Sequence, residues 1–172
     1  MTIAATLAQL ITRTTYNDLP PLAVDHAAMM ISSTIASAAM GFNIRSSRII
    51  RELAREQGGT PEATVWFDSG AKLPAVNACR VNAVTSDAAA SDDSDLRTIA
   101  HLGTQLTSTT LALAEKLGTN RKEILAAFVA AYEVAGRIGL EAKIFGERLQ
   151  SGELREAITA FFEKRPPDFS KF

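Results

Sequence analysis

The chain has few of the residues that most often mark a site. Its 172 residues include one cysteine, Cys79, and two histidines, His26 and His101. A lone cysteine excludes an intramolecular disulfide and fits a reducing compartment, and no Cys/His cluster with metal-ligand spacing can be assembled from so few groups. The first residues lack the basic start and apolar run of a signal peptide. No uninterrupted apolar run reaches the roughly 18–20 residues of a bilayer span. The nearest, 23–40, is broken by Asp25, His26 and several hydroxyls, and reads as a buried helix. Net charge is also nearly absent: 18 basic and 19 acidic residues leave −1, so no global field draws nucleic acid or an anionic surface. A cytoplasmic protein with no membrane or nucleic-acid partner is expected.

A 47% hydrophobic and 22% charged composition is that of a soluble globular chain. The length suffices for one domain with a sizeable core, or one domain and an appendage. Leu7, Leu10 and Ile11 recur at helical spacing before Asn17-Asp18 and Pro20-Pro21 break the pattern. An Ala- and Ser-rich helix over 22–40 is suited to close packing on more than one side, and Gly41 and Asn43 stop it. A third helix over 44–56 carries Arg45, Arg48, Arg51 and Arg55, read as a solvated face pairing with Glu52 and Glu56 or as an anion-binding one. Thr64-Val65-Trp66-Phe67 is β-branched or aromatic between turn residues and predicts one short extended segment, the only one in the chain.

From Pro74 the pattern is helical again. Residues 83–90 are small and apolar, 91–95 form a knot of carboxylates and hydroxyls, and 98–114 return to apolar spacing until Leu117-Gly118. Asn120 and Glu123 form a capping-box start for a helix that buries Ile124, Leu125, Phe128, Val129 and Tyr132 and continues to Ile138. A last helix over 151–164 places Leu154, Ile158, Phe161 and Phe162 on one face before Pro166-Pro167. About seven helices and one strand-like piece by these signals make the fold mainly α, a multi-helix globular domain.

Here the residues carry a resemblance. NACRVNAVTSDAAASDDSDLRTIAHLGTQLTSTTLALAEKLG, followed by ILAAFVAAYEVAGRIG, resembles the N-terminal helical part of the MmgE/PrpD family, which includes 2-methylcitrate dehydratase, cis-aconitate decarboxylase and iminodisuccinate epimerase. Leu19-Pro20, GGTPEATVWFDSG and Asn82 agree, and the likeness spans roughly 7–139. It implies proton removal next to a carboxylate of a small acid, followed by loss of water, loss of carbon dioxide or inversion, with neither metal nor other cofactor. The family string H-a-x-D-F-D-D is matched by Asp87, Ala88, Ala89, Ala90, Ser91, Asp92 and Asp93. Its first His is therefore Asp87 and its first Asp is Ala90. Ser94 falls where Thr is common, and His101 matches the His of a following His-Pro, with Leu102 in place of the proline. A full member is much longer, and the lid domain is expected to be absent from this truncated form.

The resemblance implies His101 as base or acid, Asp92 and Asp93 orienting it, and Arg97, Ser94 and Thr104 as donors to a carboxylate. Each has a plainer reading. Asp92, Asp93 and Asp95 suit the N-terminus of the next helix, His101 suits a helix edge, Arg97 could pair with the aspartates, and His26 reads as a packing residue. The tail, IFGERLQSGELREAITAFFEKRPPDFSKF, is similar to the C-terminal end of crotonase-type enoyl-CoA hydratases. That likeness implies a helical appendage over 141–172 joined near 140–145 to a domain over 1–140, an acyl-CoA as the other conceivable substrate, and docking of Lys164 and Arg165. Three readings follow: a small lyase or epimerase, a non-catalytic partner-binding remnant, or a helical homo-oligomerisation module.

Overall fold

The computed structural model describes residues 2–96 and 100–171. Its first helix, α1 (Ile3–Arg13), is capped by the Thr2 hydroxyl, which accepts from the Ala5 N–H. A single 3-10 turn, Tyr16–Asp18, leads to α2 (Pro21–Gly41), where proline at the first helical position meets no missing backbone bond. Next come α3 (Arg45–Gln57), a hairpin of β1 (Ala63–Thr64) and β2 (Lys72–Leu73), α4 (Ala75–Asp87), α5 (Leu102–Leu117), α6 (Arg121–Arg148) and α7 (Gly152–Glu163). The described residues are thus mainly α. Of the extended segment expected at 64–67 only Thr64 lies in a strand, while Trp66 and Phe67 turn the chain, Phe67 at φ 63°; the strand has a partner, antiparallel with Ala63 opposite Leu73.

Two cores hold these elements together. Ala54, Val65, Leu73, Ala78, Val81 and Ala112 pack where α3, the hairpin, α4 and α5 meet. Ala27, Leu125 and Phe128, with Tyr16, Met30, Leu106 and Tyr132 around them, join α2 to α5 and α6. Buried Asn82 ties the hairpin to α4: its amide donates to the Thr64 carbonyl at 2.9 Å and its oxygen accepts from the Trp66 N–H at 3.0 Å. The small residues of α2 bring it against α4 at backbone distance. A methyl group at Gly41 would lie 2.0 Å from the Thr85 carbonyl oxygen.

Several expectations change. By length and composition α2 could cross a membrane, with a mean hydropathy of 1.2. It is half-buried rather than buried: Ala27, Thr34, Ser37 and Ala38 face its neighbours, while Leu22, Met29 and Met40 are exposed. Arg51 does not belong to a solvated face. It is 7% exposed, its guanidinium donates to the Phe42 carbonyl at 2.9 Å and lies over the Phe42 ring. Arg55 pairs with Asp68, not with Glu52 or Glu56. The helix expected to end at Ile138 continues to Arg148, so the junction expected near 140–145 falls inside α6.

Candidate functional site

The connection from α4 to α5 places the acidic knot beside the start of α5. Helix α4 ends at Asp87, and Ala90, at φ 49°, turns the chain back. The Ser37 hydroxyl of α2 holds the start of this loop, at 2.6 Å from the Ser86 carbonyl oxygen and 2.7 Å from the Ser91 hydroxyl. The loop returns through a bridge in which the Asp95 N–H donates to the Ala100 carbonyl at 2.9 Å.

Asp92 is the centre of the arrangement. Its Oδ2 lies 2.8 Å from His101 Nδ1 and accepts from the Thr104 hydroxyl at 3.0 Å. The Asp92 side chain is 2% exposed while that of His101 is 48% exposed. A carboxylate can only accept, so the neutral ring carries its proton on Nδ1 and leaves the Nε2 lone pair unprotonated. The hydrogen bond to Asp92 and the Asp92 charge raise the imidazole above its ordinary value, with Asp87 and Asp93 adding to the effect. A buried carboxylate that fixes one tautomer of a half-exposed imidazole makes a competent general base.

Asp93 faces away from this pair. Its Oδ2 receives the Tyr132 hydroxyl of α6 at 3.5 Å, while its Oδ1 is buried against Gly103, whose N–H is its polar neighbour although outside strict hydrogen-bonding geometry. Burial pushes its carboxyl above the usual range, and the Gly103 N–H and the Tyr132 hydroxyl offset only part of that. The structure therefore brings together Asp92, His101 and Thr104. It sets Asp93 on the other side of the α5 N-terminus, exposes Ser94 and buries Thr104 against Asp92. Arg97 lies outside the described residues.

Asp87 is exposed, and one ligand atom from each of Asp87, Asp92 and His101 falls within 4.8 Å of the others. Of these residues, Asp92 is already engaged by two hydrogen bonds, so the group is a hydrogen-bonded pair with an outlying carboxylate. His26, also exposed, lines a cavity of about 200 Å³ with Ala27, Met30, Phe128 and Tyr132. Tyr132 and Gly103 were not singled out from the sequence as site residues. A glycine in the first turn of an otherwise well-formed helix was the available signal, since glycine is a poor helix former.

The model of the MmgE/PrpD N-terminal domain matches residues 5–154. No curated protein and no solved structure matches the chain. The match ends within α7, and no comparison supports the crotonase-like character expected of the tail.

Proposed function

From the premise that the chain belongs to the MmgE/PrpD family, we propose that Asp92 and His101 form the proton-transferring centre of a lyase or epimerase acting next to a carboxylate of a small acid. The observation that carries this reading is the bond of buried Asp92 to Nδ1 of a half-exposed His101. Nε2 of the neutral ring takes the proton α to the substrate carboxylate, and the electron pair moves into that carboxylate. The resulting dianionic species then expels a β-hydroxyl, which takes the proton from the His101 imidazolium and leaves as water, or is reprotonated at carbon by that imidazolium; in decarboxylation the imidazolium delivers its proton to carbon as carbon dioxide leaves. Asp92 holds the ring and stabilises its charged form, and Thr104 holds Asp92. Ser94 and Arg97 are assigned to the substrate carboxylate.

The test needs no knowledge of the final product. Small hydroxy di- and tricarboxylates are incubated with the protein in D₂O, and loss of the α-proton signal is followed by NMR. The wild-type chain exchanges that proton, His101→Ala does not, and Asp92→Asn is slowed by roughly 10²–10⁴-fold, the usual contribution of acid–base catalysis, with circular dichroism unchanged in both. Absence of exchange by the wild-type chain with every acid sinks the catalytic reading.

A second reading, assembly with another copy of the chain, is favoured by the surface. The accessible area is 10891 Å², against about 8,200 Å² for a compact monomer of this mass. Phe145, Phe161 and Phe162, each more than 60% exposed, lie at the end of α6 and on α7.

A further inference from the structure

We propose that Asp93 and Gly103 form a steric latch, braced by Tyr132, that sets the register between Asp92 and His101; Asp93 and Tyr132 are positioning residues for that pair. The proposal rests on the reading of Asp92 and His101 as the proton-transferring centre.

The two halves of that centre come from different segments. Asp92 belongs to the loop after α4, whereas His101 and Thr104 flank Gly103 at the start of α5. Adjacent aspartates therefore grip one turn of helix in two ways. Asp92 binds the side chains at 101 and 104, and Asp93 lies against the backbone at 103. The contact leaves no room for a side chain: a methyl group at Gly103 would lie 1.7 Å from Asp93 Oδ1 and 2.6 Å from its Cγ. The other Asp93 oxygen meets Tyr132. The Tyr132 ring packs on Phe128 with centroids 6.1 Å apart, within the core that joins α2 to α6.

The latch is held against an energetic penalty. Asp93 Oδ1 is buried with the Gly103 N–H beside it but outside strict hydrogen-bonding geometry, and a buried oxygen so poorly satisfied is unfavourable wherever it occurs. Errors of about 1 Å in the register of such a pair reduce catalysis on the order of 10²-fold.

The experiment reads the ring directly. In protein labelled with ¹⁵N-histidine, with His101→Ala providing the assignment, the ring nitrogen shifts report the tautomer at a pH where the imidazole is neutral. The wild-type chain shows His101 protonated on Nδ1 alone. Gly103→Ala and Asp93→Ala convert it to the mixed tautomers of a free imidazole and lower α-proton exchange about 10²-fold in kcat with KM little changed. Asp93→Asn, which keeps the shape, restores the single tautomer, and Tyr132→Phe gives an intermediate mixture. Should Gly103→Ala fail to fold, the Asp93 pair and Tyr132→Phe decide alone. A folded Asp93→Ala chain that keeps the pure Nδ1–H tautomer overturns the latch. Conversely, the expected tautomer changes in a chain that exchanges no proton leave the latch standing and remove the catalytic reading.

Discussion

At the scale of single residues, the proposed role of the Asp92–His101 pair would tie activity and stability to the same titration with opposite signs. His101 is raised above its ordinary value by the hydrogen bond and charge of Asp92. A base must be neutral, so α-proton exchange is expected to rise with pH through that raised value, at higher pH than a free histidine would give. The stabilisation runs the other way. It is fully present below the unfolded value near 6.5 and is lost as pH rises through the folded one. Asp92→Asn should move the exchange profile to lower pH while reducing its plateau, measured as kcat against pH; an unmoved profile would remove Asp92 from the titration. Asp92 and His101 were both singled out in the sequence from a resemblance to the family, and the structure places them within hydrogen-bonding distance. The division of labour was not. Whether a carboxylate faces an imidazole, a helix N-terminus or a tyrosine is fixed by how the loop folds back on α5. Arg51 was misread for a related reason: its spacing matches a solvated stripe, and only the position of the Phe42 carbonyl buries it.

At the scale of elements, the α2–α4 interface depends on one missing side chain. Gly41→Ala would place a methyl group 2.0 Å from the Thr85 carbonyl oxygen and 3.3 Å from the Ala88 methyl. The obstacles are the last turn of α4 and the residue that caps it, so the helices must separate. A loss of about 2–3 kcal/mol is expected from overpacking of this kind, read as a lower urea midpoint with an unchanged slope. A smaller loss, below about 0.5 kcal/mol, would mean that the contact is softer than described. Most helices were visible because apolar residues recur at 3.6-residue spacing and because Asn120, Glu123 and Ser151 are strong caps, each hydrogen-bonded as such. Strand β2 was invisible, since two residues carry no periodicity. The end of α6 was placed too early, at Ile138, whereas the helix continues through Gly139 and Gly146 to Arg148.

For the whole molecule, the surplus of surface argues for association. About 2,700 Å² lies beyond what a compact chain of 18.4 kDa exposes, and a standard interface takes only about 800 Å² from each partner. Light scattering across a concentration series is expected to give a mass of at least twice 18.4 kDa, and a mass that stays monomeric at the highest concentration would end the assembly reading. The same wet surface has a calorimetric consequence. Unfolding a compact chain of 172 residues raises the heat capacity by about 2.1–2.6 kcal/mol/K. Surface already hydrated in the folded state contributes nothing to that change. With somewhat more than half of it apolar, the lone chain should fall short by about 0.4 kcal/mol/K. Its stability would then vary more gently with temperature than that of a well-covered domain of equal length, and association would restore the curvature.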